Sequence, residues 1–489
     1  MVSEPGRVPA RSGEVWDAVV IGGGVAGLVA AREFAVAGAR TCLVETGSGL
    51  GGCIARHTVA GLALDCGAES FATRNPSVSR LVESLGLADR VVTPQPVGPW
   101  AYTRRGPVPL PSAGLLGIPV SAWSREVRRA VGLIGTLRAG LDDVLPRRIG
   151  TRDWRGRPAS LGRLVRARMG SRVLRTLVCP VVSGVYSVDP DQVDIDAVAP
   201  GLRDALTREG TLGKAVGSLR TQAPPGAVAA SLVGGMAELV LALAADLRAR
   251  GVQIRTNTTV GALRREGGHW LIDAGDTTLR AADVIVCTPG EVAAGLLSAE
   301  VPSLAELVPP GAPGPPGAPG AAEVVLATFV LRAPELDGAP RGTGVLVSRE
   351  ATDVAAKGMT HATAKWDWLR EAAGPGRHVI RLSYGRAGEQ TRLPDSDDEF
   401  ATLALRDASR LLWVDLDAEQ VEGFARTEWP GSLPYPAPGH RKLALAARDE
   451  LRQRPGIDVA GAWIAGTGLA AVVADSGRAV RLMLTRTQA

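Results

Sequence analysis

Aromatic side chains are scarce in this chain of 489 residues; Phe, Trp and Tyr together make up 4%. That argues against a substrate cage built from rings. Disulfides are a second absence. The five cysteines (Cys42, Cys53, Cys66, Cys179, Cys287) are odd in number and include no CxxC. Several sit in apolar strand-like runs, which reads as reduced buried thiols in a cytoplasmic protein. The five histidines (His57, His269, His361, His378, His440) show no HxxH or HExxH spacing, so no metal site is expected. Neither GxSxG nor a paired Cys/His nucleophile occurs. The longest apolar helix candidate, Leu239 to Leu247, holds Asp246 and is far shorter than the ~20 residues of a membrane span. Residues 1–14 lack the apolar centre of a signal peptide and read as a disordered lead. The cations are mostly Arg. A net charge of +5 and a pI near 9.2, without a clustered basic run, fit an anionic ligand or an acidic membrane surface and give no nucleic-acid footprint.

What is present is an ordinary globular composition, 45% hydrophobic and 21% charged, long enough for two or three domains. The most informative stretch is residues 17–52. An apolar, β-branched run from Asp17 to Ile21 reads as a buried parallel strand. Gly22-x-Gly24-x-x-Gly27 follows and leads into an Ala-rich helix, Leu28 to Ala37. A second strand, Thr41 to Val44, ends at Glu45. Gly22 permits a sharp turn, Gly24 lets a pyrophosphate lie against the backbone, and Gly27 lets helix and strand pack closely. The helix N-terminus offers free N–H groups and a positive dipole end to phosphates. Glu45 stands where a carboxylate accepts both ribose hydroxyls, which favours FAD or NAD over NADP. Gly49-Leu-Gly51-Gly52 then reads as a flexible loop.

Further along, Leu62 to Ser70 reads as a strand ending in a tight turn, and Ser77 to Leu87 as a helix. Residues 100–112 read as a hairpin around Gly106, carrying Arg104 and Arg105. From about 113 to 220 the pattern is mostly helical. Val252 to Val260 and Ala282 to Pro289 read as strands. Residues 309–320 are a Pro/Gly repeat too short for a collagen helix and read as a solvated loop. Glu323 to Arg332 and His378 to Tyr384 read as alternating strands. A strand from Asp458 to Ala462 runs into a Gly-rich turn and a helix beginning near Gly468.

The segments GGGVAGLVAA, GLGG and LDCGAESFATRNPSVSRLVESLGL resemble the N-terminal third of the protoporphyrinogen/coproporphyrinogen oxidase family, FAD enzymes related in fold to amine oxidases and phytoene desaturases. Pro180 to Asp189, Val233-Gly-Gly-Met236, the Lys365-Trp366 segment, Trp429-Pro…Pro434-Tyr435…Gly439-His440 and Gly461 to Gly477 carry the likeness onward. The resemblance implies an α/β (α+β overall) architecture: a Rossmann-type FAD-binding domain built from discontinuous segments, a strand-rich substrate domain and a helical subdomain. The boundaries expected are 15–95, 226–305 and 441–489 for the FAD-binding domain, 96–225 for the helical subdomain and 306–440 for the substrate domain.

The same resemblance implies cofactor contacts at Gly22, Gly23, Gly24, Val25, Ala26, Gly27, Glu45, Thr46, Gly51, Gly52, Gly67, Ala68, Glu69, Ser70, Val260, Trp429, Ala462, Thr467, Gly468 and Leu469. Substrate contacts are expected among Arg104, Arg105, Tyr186 and Lys365. Gly49, Cys53, Ala470 and Val472 depart from the family pattern, which puts one phosphate contact and the detail of the last helix in question. The implied activity is oxidation of coproporphyrinogen III to coproporphyrin III in heme biosynthesis, with molecular oxygen as acceptor and hydrogen peroxide as product. Protoporphyrinogen IX is the alternative substrate. Competing readings are a carotenoid desaturase or amine oxidase, and a flavin-binding scaffold without turnover. Peripheral membrane contact is an option through the helical region, and monomer and homodimer both stay open.

Overall fold

A computed structural model describes residues 15–151, 159–221, 229–297, 299–302, 304, 322–386, 392–433 and 440–487. The lead 1–14, the Pro/Gly stretch 309–320, and Pro434, Tyr435 and Gly439 lie outside the described residues.

The N-terminal stretch folds as its apolar runs and glycines predict. Strand β1 (Val15–Ile21) is buried from Ala18 onward, helix α1 spans Val25–Val36, and strand β2 (Thr41–Val44) is wholly buried. β1 pairs in parallel with β2 and with Thr277–Val286. Gln253–Arg255 adds in parallel outside β2, and Ile457–Val459 pairs in parallel with the last residues of Thr277–Val286. Strands that are far apart in sequence therefore build one doubly covered parallel sheet, continued by the antiparallel strands His269–Ala274 and Ala262–Glu266. β1 is apolar on both faces because both are covered. One face packs on α1 and the C-terminal helix Leu469–Thr487, with Leu28, Val29 and Phe34 against Val473, Ala479 and Val480. Ala470 and Val472, the departures from the family pattern, are buried in this same packing. Arg448 fastens the C-terminal segment by pairing with Asp458 and with Asp475.

A second sheet has seven strands in the order Val421–Leu433, Ala322–Arg332, Arg377–Tyr384, Gly358–His361, Gly344–Val347, Trp100–Thr103 and Gly106–Pro109. The last two are the predicted hairpin, so the strand-rich sheet takes its edge from the segment assigned to the helical subdomain. Helix Asp397–Leu412 covers one face through Phe329, Tyr384, Phe400 and Leu411. Against the other face lies the small hairpin Arg56–Val59/Leu62–Asp65, where Val59, Leu62 and Leu64 meet Val330, Trp366 and Val379. That contact brings the strand-rich sheet to the segment after the glycine turn.

Helices between residues 125 and 221 pack around Leu161, Leu164, Val173, Leu177, Leu202 and Leu206. Helix Arg125–Gly140 is kinked at Gly132, whose φ of 71° and ψ of 173° are not helical. The buried Arg168 guanidinium pairs with Asp142 and donates to the carbonyls of Pro146 and Gly210. Leu133, Ile134, Leu137, Leu141 and Val144 form an exposed apolar stripe.

Two expectations are corrected. Strand structure at 252–260 is limited to Gln253–Arg255, because Asn257 adopts φ 52° and turns the chain, its N–H bonding the Gly47 carbonyl. Val260 is buried but lies beyond the strand. The C-terminal strand stops at Val459; Gly461 at φ 143° redirects the backbone, and Ala462 opens a short helix, Ala462–Ala465.

Candidate active site

The glycines of the first turn are required by contact as well as by conformation. Gly22 sits at φ 105°, and a Cβ there would lie 2.9 Å from the Cys287 carbonyl oxygen. At Gly27 a Cβ would stand 1.8 Å from the Gly22 carbonyl oxygen. Gly24 is different: a Cβ would meet nothing within 4 Å, so open space lies on that side of the backbone. Gly24 is also the N-cap of α1, and no side chain caps the helix nor does an acid occupy its first turn. The first N–H groups of α1, from Val25, Ala26 and Gly27, are therefore left for an anion.

The Gly51-Gly52 loop crosses this turn, with the Gly51 N–H donating to the Gly23 carbonyl at 2.8 Å. Glu45 closes it. One of its oxygens accepts from the Gly23 N–H and the other from the Gly47 N–H, both at 2.6 Å. The carboxylate is thus fixed beside the turn and keeps lone pairs for hydroxyl donors. Thr46 is exposed next to it. Val260 follows on the chain that leaves Gln253–Arg255, where the Thr258 N–H bonds the Glu45 carbonyl. An adenosine diphosphate group fits this cradle: room beside Gly24, free helical N–H groups and a fixed carboxylate.

A second cluster surrounds Gly67 to Ser70. A Cβ on Gly67 would come within 1.9 Å of the Cys53 carbonyl oxygen. That same carbonyl accepts from the Ala68 N–H at 3.0 Å, so Cys53 works here through its backbone. Trp429 reaches across from the strand-rich sheet and donates its indole N–H to the Cys66 carbonyl at 2.7 Å. Arg381 donates to the carbonyls of Asp65 (3.0 Å) and Gly67 (2.9 Å) and to Glu69 (2.9 Å). Lys365 pairs with the other Glu69 oxygen and lies 4.9 Å from the Trp366 ring centre. Burial works to raise the Glu69 carboxyl, but the Lys365 ammonium and the Arg381 guanidinium outweigh it and hold it below the usual carboxylate range. The cluster sets two cations against the Glu69 carboxylate. Beside it, burial pushes Asp65 up to about 6, against the pull of the Met236 and Ala237 N–H groups that it accepts. Ala462, Thr467, Gly468 and Leu469 lie at the turn into the C-terminal helix, whose first turn holds no acid.

The expected substrate residues do not all converge. Arg104 and Arg105 occupy the exposed tip of the edge hairpin, and among the described residues neither side chain has an ion pair. Lys365 is engaged by Glu69 and belongs to the cluster at Gly67–Ser70. Tyr186 ends helix Cys179–Tyr186; burial pushes its phenol up, while the nearby Arg74 charge pulls it down. Arg74, Arg381 and Asp65 were not singled out from sequence. Arg381 carried a signal: it shares the inward face of an alternating strand with Val379, a place for an apolar residue unless a charge awaits it.

The match of the whole chain to known proteins decides the family. A family model described as flavin containing amine oxidoreductase matches residues 25–484. The chain belongs to the flavin-containing amine oxidoreductase family. The chain is similar to the coproporphyrinogen III oxidase of Mycobacterium tuberculosis, 31% identical with 94% of this chain and 96% of the relative covered. The Bacillus subtilis protein of the same name is 27% identical over 94% of this chain and 96% of its own length. Among solved structures, one from Exiguobacterium named after protoporphyrinogen oxidase superposes with a TM-score of 0.80 at 24% identity, covering 98% of this chain and all of that one. Cyclohexylamine oxidase from Brevibacterium oxydans superposes with a TM-score of 0.65 at 15% identity, covering 97% and 100%. The fold is that of the amine oxidase flavoenzymes, and the chain is an oxidoreductase of this flavin-containing family. No helix among the described residues is long and apolar enough to cross a membrane, and no group of His, Cys, Asp or Glu there could hold a metal ion.

Proposed function

We propose that this chain uses FAD to oxidise coproporphyrinogen III to coproporphyrin III in heme biosynthesis, with oxygen as acceptor and hydrogen peroxide as product, in the cytoplasm. The observation that carries the reading is the end-to-end likeness to the mycobacterial coproporphyrinogen III oxidase, joined to a glycine cradle that fits the coenzyme. Gly22 to Gly27, Glu45, Gly51 and Gly52 would hold the adenosine diphosphate half. Gly67 to Ser70, Trp429, Ala462 and Thr467 to Leu469 would face the ring. When bound, FAD supplies hydride acceptance at its ring and delivery of the electrons to oxygen. The chain's own contribution is electrostatic. The α1 N-terminus would face the phosphates, and the Lys365 and Arg381 cations beside Glu69, with the start of helix Leu469–Thr487, would favour negative charge on the ring. No side-chain base is required, since the pyrrole N–H acidifies as the adjacent meso carbon is oxidised and yields its proton to water.

Protoporphyrinogen IX is the second reading, favoured by a chloroplast relative from Arabidopsis thaliana named protoporphyrinogen oxidase, 25% identical over 93% of this chain. The exposed stripe of Leu133, Ile134 and Leu137, flanked by the exposed Arg128 and Arg129, supports a peripheral contact with an anionic membrane surface. A steady-state comparison of the two porphyrinogens, followed by porphyrin fluorescence in air, tests the assignment. Higher kcat/KM with coproporphyrinogen III is expected. Flavin-loaded protein that oxidises neither faster than air does is a scaffold, and the proposal fails.

A further inference from the structure

The chain contains only four lysines (Lys214, Lys357, Lys365, Lys442) among its 55 cations. Lys357 has the least expected place. It is 3% exposed, and no carboxylate among the described residues pairs with its ammonium. Its Nζ donates to the Ser187 hydroxyl at 2.5 Å and to the Gly385 carbonyl at 2.9 Å. Burial, with the Arg386 charge adding to it, lowers the ammonium to about 7.

Ser187 is equally unusual. It is fully buried and left-handed, φ 58° and ψ 21°, directly after Tyr186 at the end of helix Cys179–Tyr186. A non-glycine residue there costs free energy and persists only when its surroundings hold it. Here they do. Besides Lys357, the Ser183 hydroxyl donates to the Val188 carbonyl at 3.2 Å, and Arg349 pairs with Asp189 at 3.0 Å. Leu346 of the strand-rich sheet fills the notch at Gly184, where a Cβ would lie 2.6 Å from its side chain. The helix end is therefore clamped onto the sheet at the residue that sets the direction of Tyr186. The charge of Arg74, on the loop that follows Gly67 to Ser70, also acts on Tyr186.

We propose that Lys357 is a positioning residue: through Ser187 it fixes Tyr186 in the wall of the porphyrinogen site. The inference rests on the reading of Tyr186 as a substrate contact. The full-length, flavin-loaded chain tests it with Lys357→Met, Ser187→Gly, Tyr186→Phe and the Lys357→Met/Tyr186→Phe double variant. Ser187→Gly keeps the left-handed backbone open to the chain and removes the hydroxymethyl group that accepts from Lys357, so it carries the test if Lys357→Met folds poorly. KM and kcat are measured with coproporphyrinogen III, and the dissociation constant of coproporphyrin III by fluorescence anisotropy, which needs no turnover. Flavin content and unfolding temperature are recorded alongside.

Lys357→Met and Ser187→Gly should each raise KM and the dissociation constant about fivefold or more with kcat within about twofold, and Lys357→Met should add less than about twofold to Tyr186→Phe. Variants that lower only the unfolding temperature, or effects of Lys357→Met and Tyr186→Phe that multiply, overturn the inference. A Tyr186→Phe chain with wild-type constants overturns it by removing Tyr186 from the site. Failure of the wild-type chain to oxidise either porphyrinogen strikes the proposed function, while the coproporphyrin affinities still decide the role of Lys357.

Discussion

At the scale of single residues, the glycine turn separates two roles that a sequence pattern merges. Gly27 is needed by the protein itself, since a Cβ there would press into the Gly22 carbonyl. Gly24 is not needed in that way, since a Cβ there would stand in open space, the room that the proposed coenzyme's pyrophosphate would take. Gly27→Ala should therefore destabilise the chain by about 1–3 kcal/mol or more, seen as a lowered unfolding midpoint and little soluble protein. Gly24→Ala should keep the wild-type midpoint without FAD, yet bind FAD at least about tenfold more weakly because the methyl takes the space of the pyrophosphate. Equal losses of stability in both variants would contradict this division. The pattern GxGxxG was legible in the sequence; which glycine the fold itself requires was not, because that depends on the Cys287 and Gly22 carbonyls lying across the turn. Lys365 teaches the same lesson. Its segment pointed to the site, but its pairing with Glu69 depends on how two distant segments dock.

At the scale of elements, two neighbouring strands of the second sheet hold a buried histidine pair. His361 meets His378 at 3.0 Å, and His378 meets Asp337 at 3.0 Å. Burial, with the neighbouring His378 adding, lowers His361 to about 3; burial also lowers His378, against the pull of Asp337 and Glu335. Both folded values lie below the unfolded value of about 6.5, so the unfolded chain binds more protons in that window. Stability is complete above pH ~6.5 and is lost as pH falls, by up to ~1.4 kcal/mol per pH unit for each histidine. Denaturation with urea at neutral and mildly acidic pH should show that loss in the wild type and a smaller one in His361→Asn; identical pH dependence would count against it.

The helix Arg125–Gly140 makes a different prediction. Replacing Ile134 and Leu137 by Glu should cut co-sedimentation with anionic vesicles several-fold without changing kcat on soluble substrate. A wild-type chain that ignores such vesicles removes membrane contact from the account. Elements with a clear local mark, such as the Ala-rich α1 and the alternating strand Arg377–Tyr384, were legible. The strand expected through Val260 was not, because Asn257 turns the chain, its N–H bonding the Gly47 carbonyl and that of Thr258 the Glu45 carbonyl.

For the whole molecule, one parallel sheet is assembled from strands near residues 15, 41, 253, 277 and 457, with the intervening chain supplying the second sheet and the helices. The sequence revealed the pieces through their apolar runs and the family likeness through its motifs. It did not reveal that the hairpin at 100–109 would close the strand-rich sheet, since edge pairing in parallel with Gly344–Val347 leaves no local mark. This arrangement brings the glycine cradle, the Glu69 cluster and Trp429 into one region, as the proposed coenzyme and macrocycle would require. The most direct measurement is anaerobic mixing of the FAD-loaded chain with coproporphyrinogen III while the flavin absorbance is followed. The yellow band should bleach on mixing and return when air is admitted, with porphyrin formed in step. A band that stays yellow in the presence of the porphyrinogen would contradict the account.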